Sequence, residues 1–338
     1  MKERLRMPAE WEPHAATWLA WPHALTTWPG CLEEAEREFE FLVRTLARFE
    51  RVELIAQSDA QRSRIETLLG AIVRDGAVRV HVIPTDDVWM RDIGPTFARG
   101  AAGLVALDWT FNAWGGKYPP WDRDDAVAAQ IAKLVGVDCE RQGIVLEGGA
   151  IEVDGEGTLL ATEPTLLDPK RNPGIDKAAI DALALELLGT SKTIWLGDGI
   201  EGDDTDGHID DIARFVAPGH VVCAREADPR DPNHAPLEDC RARLRAARDA
   251  AGRALDVIDL PMPPPVLAGE DRLPASYANF YIANGAVLVP VFGTACDERA
   301  LAVLRPLFPG RELVGIPSRT LVRGLGAVHC LTQQQPLT

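Results

Sequence analysis

Apolar residues along this chain fall into two alternating patterns. Short runs, "RVELIAQ" (51–57), "VRVHVIP" (78–84), "GLVALDWTF" (103–111), "TLLATE" (158–163), "HVVCA" (220–224) and "AVLVPVFG" (286–293), have the length and branched-aliphatic content of strands. Between them lie "LEEAEREFEFLVRTLARF" (32–49), "AVAAQIAKLVG" (126–136), "KAAIDALALELLG" (177–189) and "LEDCRARLRAARDAAGRAL" (237–255). These space apolar residues at helical intervals and are rich in good helix formers. Strands alternating with amphipathic helices predict an α/β chain. The nearest approach to a linker is "LPMPPPVLAGEDRLPAS" (260–276), whose prolines are more simply explained as a stiff loop than as a domain boundary. Residues 1–338 are therefore expected to form a single domain.

Against this background a few polar residues sit in glycine-rich or aromatic surroundings: Asp92 in "DDVWMRDIGP", Glu147 in "IVLEGGAI", His208 and Asp210 in "TDGHIDD", and Cys330 in "GLGAVHC". Their spacing is close to regular, with 55 positions from Asp92 to Glu147, 61 from Glu147 to His208, and 122, twice 61, from His208 to Cys330. A repeat of roughly 60 residues, each unit holding a helix and a few strands, gives about five units and places one loop per unit at the centre of a ring. In such a ring a late cysteine can meet an early aspartate.

Composition narrows the chemistry. With 51 acidic against 35 basic residues, a net charge of -16, the chain is a poor match for nucleic acid or anionic membrane and well suited to a cationic partner, although solubility alone accounts equally for such a charge. Six cysteines lie scattered without a CxxC pair, as in a reduced, cytoplasmic protein. The N-terminal "MKERLRMPAEWEPHAATWLAWPH" lacks the apolar core of a signal peptide, and no run has the length of a membrane span.

Each candidate has a bland reading beside its chemical one. Cysteine is a strong nucleophile only as thiolate, a minor form at a free pKa near ~8.5, and a lone cysteine is commonly just a small buried hydrophobe. His208 and Asp210, two apart, point to one face if their segment is extended. The acidic run around them could instead be a solvated loop or a metal site, though it lacks a second histidine at ligand spacing. Trp89 and Asp92 suit a planar cation, by stacking and paired hydrogen bonds, while Arg91 and Asp92 could equally form an ordinary ion pair. Glu147, inside an apolar strand-like run, needs a partner, for which His208 is the natural candidate. A thiol, a histidine and three carboxylates together suggest a guanidinium held for attack by a thiolate.

These motifs carry a resemblance. "EWEPHAATWLAWP", "DDVWMRDIGP", "FNAWGGKY", "LEGGAIEVDGEGTLLATE", "TDGHIDD" and "GLGAVHCLTQQQP", in that order, make the chain similar to the agmatine deiminases, in the bacterial-type peptidylarginine deiminase family of the guanidine-modifying (pentein) superfamily. The resemblance covers essentially the whole chain and implies a five-bladed pseudosymmetric α/β propeller, the pentein fold. It implies Asp92 and Asp210 as guanidinium binders, Glu147 and His208 as the acid/base pair, Cys330 as nucleophile and Trp89 as a pocket wall. Trp114, in "NAWGGKY", is expected either as a mobile pocket wall or as part of a tight aromatic turn. The implied reaction is hydrolytic deimination of agmatine, a small cationic guanidine, through a covalent thiouronium, with no metal and no cofactor. Alternatives are deimination of free or peptidyl arginine, amidino transfer to an amine, or a propeller that only binds. Many members read "TNGHID" and "GGGNIHCITQQ", so Asp206, Leu325 and Ala327 depart from that pattern. Homo-oligomers are common among such proteins, and no stretch of this chain identifies an interface.

Overall fold

The computed structural model describes residues 4–338; residues 1–3, the charged start of the N-terminal stretch, lie outside them. One topological unit recurs five times. In each, a short first strand pairs antiparallel with a second, a helix follows, and a third strand lies parallel to the second. Four units run consecutively: Thr96–Gly100, Gly103–Thr110 and Asp138–Val145; Glu152–Val153, Thr158–Thr162 and Lys192–Leu196; Ala213–Ala217, His220–Arg225 and Asp256–Pro261; Tyr281–Ile282, Ala286–Val291 and Glu312–Pro317.

The remaining unit is assembled from both ends of the chain. Gln333–Pro336 pairs antiparallel with His14–Ala20, which lies parallel to Val52–Ala56, and Val78–Val82 extends this sheet. Five such units match the repeat that the spacing predicts, and their topology is that of the pentein fold implied by the resemblance.

Side-chain patterning explains the layering. Strands such as Val52–Ala56 and Thr158–Thr162 are buried along their whole length, as parallel pairs covered on both faces require. The helix Leu32–Leu46 turns Ala35, Phe39, Leu42, Val43 and Leu46 inward, and each large one buried contributes about 1.5–3 kcal/mol relative to exposure. The predicted strands and the first three predicted helices are present within a few residues of their expected limits. The fourth helix differs, running over His234–Ala246 rather than 237–255. Its earlier start accommodates Pro236, which in the first turn forfeits no helical hydrogen bond. It ends early because Ala247 is extended and Asp249 accepts from both the backbone and the side chain of Arg253, closing a tight turn through Gly252. The proline-rich 260–276 segment ends the strand Asp256–Pro261 and continues as a loop carrying a small hairpin, Leu267–Ala268 with Asp271–Arg272. Among the described residues, no helix is long and apolar enough to cross a membrane.

Candidate active site

In four of the five units, the turn immediately before the first strand carries the candidate residues. Asp92 lies in the short helix Met90–Ile93, Glu147 precedes the 3₁₀ turn Gly148–Ala150, and His208 precedes the 3₁₀ turn Ile209–Asp211, which holds Asp210. Cys330 stands three residues before Gln333–Pro336. Glu147 is therefore not inside a strand, which stops at Val145, and the His208–Asp210 segment is wound rather than extended. The winding has a local cause. The Asp203 carboxylate accepts N–H bonds from Thr205, Gly207 and His208, and Asp206 and Gly207 take positive φ values of 66° and 97°.

These turns meet around Gly149. A Cβ there would lie 2.5 Å from His208 Nδ1, 3.1 Å from Asp92 Oδ1 and 3.2 Å from Asp210 Oδ2, so only glycine lets the three groups converge. The Gly149 N–H donates to Asp92 Oδ1 at 2.9 Å. Gly326 plays a comparable part near Cys330, where a Cβ would run into the Trp89 indole.

His208 is buried, with Nδ1 3.9 Å from Asp92 Oδ1 and Nε2 3.9 Å from Glu147 Oε2. Burial disfavours its charged form, yet Asp92, Glu147 and Asp210 outweigh burial and raise its pKa to about 9. Among the described residues, its two ring nitrogens and Asp210 Oδ1 are buried polar atoms without a hydrogen-bond partner. Burial also raises Asp92, helped by Asp210 and Glu147, whereas Glu147 is lowered because His208 and Arg171 overcome its desolvation. Cys330 Sγ is 3.7 Å from Asp210 Oδ2. Its thiol is pushed well above the usual range by burial and by Asp210, Asp211 and Asp92.

Several functional neighbours escape the sequence reading. Glu147 is held mainly by Arg171, whose Nε donates to both carboxylate oxygens at 2.8 and 3.1 Å; His208 is the more distant partner. Arg171 is itself fixed by Asp168, Asp206 and the Thr205 carbonyl. His329 bridges Asp210 Oδ2 at 2.7 Å and Glu10 Oε2 at 2.8 Å, locking one guanidinium-binder candidate in place. Arg91 does not pair with Asp92; it reaches Gln334 and Glu10. Nothing in "DPKRNPG" distinguishes Arg171 from a surface cation, whereas Glu10 and His329 lie inside the motifs "EWEP" and "AVHC".

The cavity over these groups has a volume of about 680 Å³ and includes Trp89, Asp92, Trp114 and Cys330 in its lining. Trp114 belongs to the aromatic turn that is one of the two expectations for it. It sits in a tight turn at φ 54° and also lines the cavity, donating from Nε1 to Asp92 Oδ2 at 3.0 Å. Lys117 anchors this loop on Asp206 Oδ1 and Oδ2, both at 2.9 Å. Among the described residues, no group of three or more His, Cys, Asp or Glu side chains could hold a metal ion.

Residues 6–336 match the model of the Porphyromonas-type peptidyl-arginine deiminases. The chain belongs to that family. Within it, this chain is 41% identical to an agmatine deiminase of Stutzerimonas stutzeri, over 98% of this chain and 95% of that one. It superposes on the agmatine deiminase of Enterococcus faecalis with a TM-score of 0.93 at 35% identity, covering 98% and 96% of the two chains. A cysteine-to-serine variant of the C. jejuni agmatine deiminase with substrate bound gives 0.89 at 31% identity, covering 98% and 96%. This family member thus shares its whole architecture, not one motif, with proteins that carry that name.

Proposed function

We propose that this chain is an agmatine deiminase, converting agmatine and water into N-carbamoylputrescine and ammonia. The observation that carries the reading is the buried carboxylate oxygen Asp210 Oδ1, without a hydrogen-bond partner among the described residues, on the aspartate whose other oxygen lies 3.7 Å from Cys330 Sγ. Buried polar atoms are ordinarily satisfied, and a guanidinium supplies the donors that a free carboxylate oxygen lacks. Asp92 and Asp210 hold the guanidinium between them, and Trp89 and Trp114 wall the cavity. The cavity's charge favours a dication over zwitterionic arginine. Asp86, Asp87, Asp92, Asp204 and Asp271 face Lys117, Arg272 and Arg323, with Asp124, raised to about 7 by burial, adding part of a charge; Lys117 and Arg272 are already paired with Asp206 and Asp231.

The buried cation is what makes the thiolate accessible. At about 4 Å and an effective dielectric of 20, its attraction for the sulfur charge is at most about 4 kcal/mol, near three pKa units, and is partly cancelled by Asp92 and Asp210. The thiol proton leaves to solvent, and Sγ attacks the guanidinium carbon. His208, protonated at neutral pH, donates to the departing nitrogen, which leaves as ammonia. The resulting S-alkylthiouronium is attacked by water, one of whose protons His208 takes, and cleavage of the C–S bond releases the ureido product as its remaining hydroxyl proton passes to the departing sulfur, restoring the Cys330 thiol. Glu147, fixed by Arg171, keeps His208 charged.

Ammonia release from agmatine, arginine and an arginine peptide, each offered separately to the protein and to Cys330→Ala, tests the reading. Fast release from agmatine alone, lost in the variant, is expected. Release from the peptide or from arginine in preference to agmatine would overturn the substrate, and release by the variant would overturn the nucleophile.

A further inference from the structure

Four of the five units place Asp92, Glu147, His208 with Asp210, or Cys330 just before their first strand; the remaining one, which begins at Tyr281–Ile282, places Asn279 there. Asn279 lies 71 positions after His208 and 51 before Cys330, filling the slot that the regular spacing leaves empty. It is fully buried, and Nδ2 lies 3.1 Å from Cys330 Sγ. We infer that Asn279 is a catalytic residue, donating a hydrogen bond from Nδ2 to the Cys330 sulfur that stabilises the attacking thiolate. Its effect on turnover rests on the function proposed above, whereas the donor on the sulfur stands apart from any substrate.

The direction of the amide is decided by its other contacts. Oδ1 faces two N–H groups, accepting from His329 N at 3.0 Å and Cys330 N at 3.4 Å, so the opposite end must be the NH₂. That NH₂ has two protons and two acceptors, Asp211 Oδ1 at 3.0 Å and Cys330 Sγ. The backbone carbonyl of Asn279 also accepts from His329 N. Holding the nucleophile's backbone is thus the work of the two oxygens, and Nδ2 is left for the sulfur.

A thiol sulfur is a weak acceptor, and a thiolate a charged one, so this hydrogen bond strengthens as the sulfur ionises. An interaction stronger in the reacting form than in the resting one accelerates the reaction. The need for it follows from the surroundings. The sulfur faces Asp92 from the Met90–Ile93 turn and Asp210 and Asp211 from the Ile209–Asp211 turn, all opposing a second negative charge, with burial acting the same way. Glu147 and His208 complete the titratable groups converging from the facing turns, and His329 adjoins on the chain itself. Asn279 supplies donor character without adding a charge that would repel a guanidinium.

The test follows the rate of Cys330 alkylation by iodoacetamide against pH, read at the Cys330 peptide by mass spectrometry because Cys139 is exposed and also reacts. Asn279→Ala is expected to raise the apparent thiol pKa by about one to two units, slowing alkylation roughly 10- to 100-fold at neutral pH, and to lower kcat for agmatine more than it raises KM. Asn279→Asp, which keeps acceptors for the two backbone N–H groups, is expected to shift the thiol in the same direction. An unchanged pH profile in either folded variant overturns the inference. One further measurement needs no variant: the Asn279 side-chain amide resonances of the intact protein should move as Cys330 titrates, and their failure to do so also overturns it. A protein inert toward agmatine that still shows the alkylation shift would overturn the proposed function alone.

Discussion

Replacing Glu147 by Gln keeps the shape of the site and removes one charge 3.9 Å from His208 Nε2. At that distance and an effective dielectric of 20 the lost attraction is at most about 4 kcal/mol, or about three pKa units. Arg171 loses its Glu147 partner but keeps Asp168 and Asp206, and its charge now bears on His208 with less compensation, which acts in the same direction. His208, held near 9 in the parent, should titrate at about 6 to 7 in the variant and stand largely unprotonated at neutral pH, unable to donate to departing ammonia. The kcat–pH profile for agmatine, with histidine titration by NMR alongside, measures this as an alkaline limb moving down by two units or more.

Stability gives a second reading of the same charge. His208 has a folded pKa near 9 against 6.5 unfolded, so its contribution of about 3 kcal/mol is fully present below pH 6.5 and is lost as pH rises through 9. Urea unfolding at pH 6 and pH 10 should therefore show a larger alkaline loss for the parent than for Glu147→Gln. A variant whose His208 titrates within half a unit of the parent's, with no difference in alkaline stability, would refute the electrostatic reasoning.

Two further substitutions probe the geometry. Gly149→Ala drives a methyl group against His208 Nδ1 and should reduce kcat at least 100-fold while the protein remains folded; near-normal turnover by a folded variant would show that the three turns tolerate separation. His329→Leu strips Asp210 and Glu10 of a shared buried partner and should cost about 3–5 kcal/mol in chemical denaturation, and unchanged stability would show that Arg91 and Arg214 suffice for Glu10.

Local patterns expose the fold well because each unit repeats one strand–strand–helix–strand motif whose buried strands and amphipathic helices have distinct periods. The helix at 234–246 shows the limit. Its arginine- and alanine-rich continuation has helical propensity, and the Asp249–Arg253 contact overrides it. Polar residues in odd company, such as Glu147 beside two glycines, are legible for a related reason: burying a charge in an apolar run demands a purpose. Arg171 and Asn279 are not, since their surroundings in sequence are an ordinary polar loop and an ordinary strand entry. Their importance arises only when turns far apart in the chain face one another. Asp206 illustrates the same dependence, because only the structure reveals that its carboxylate ties Arg171 to Lys117.

The shared sheet of His14–Ala20 and Gln333–Pro336 has a consequence for biosynthesis. Asp92, Glu147, His208, Asp210 and Asn279 all emerge from the ribosome before Cys330, and the strand that seats the cysteine follows it by only three residues. A chain interrupted between positions 211 and 329 therefore carries Asp92, Glu147, His208 and Asp210 but lacks the proposed nucleophile, and is expected to be inactive toward a guanidine. The strand that closes the sheet with His14–Ala20 is thus the one whose preceding turn brings Cys330 to the other candidate residues.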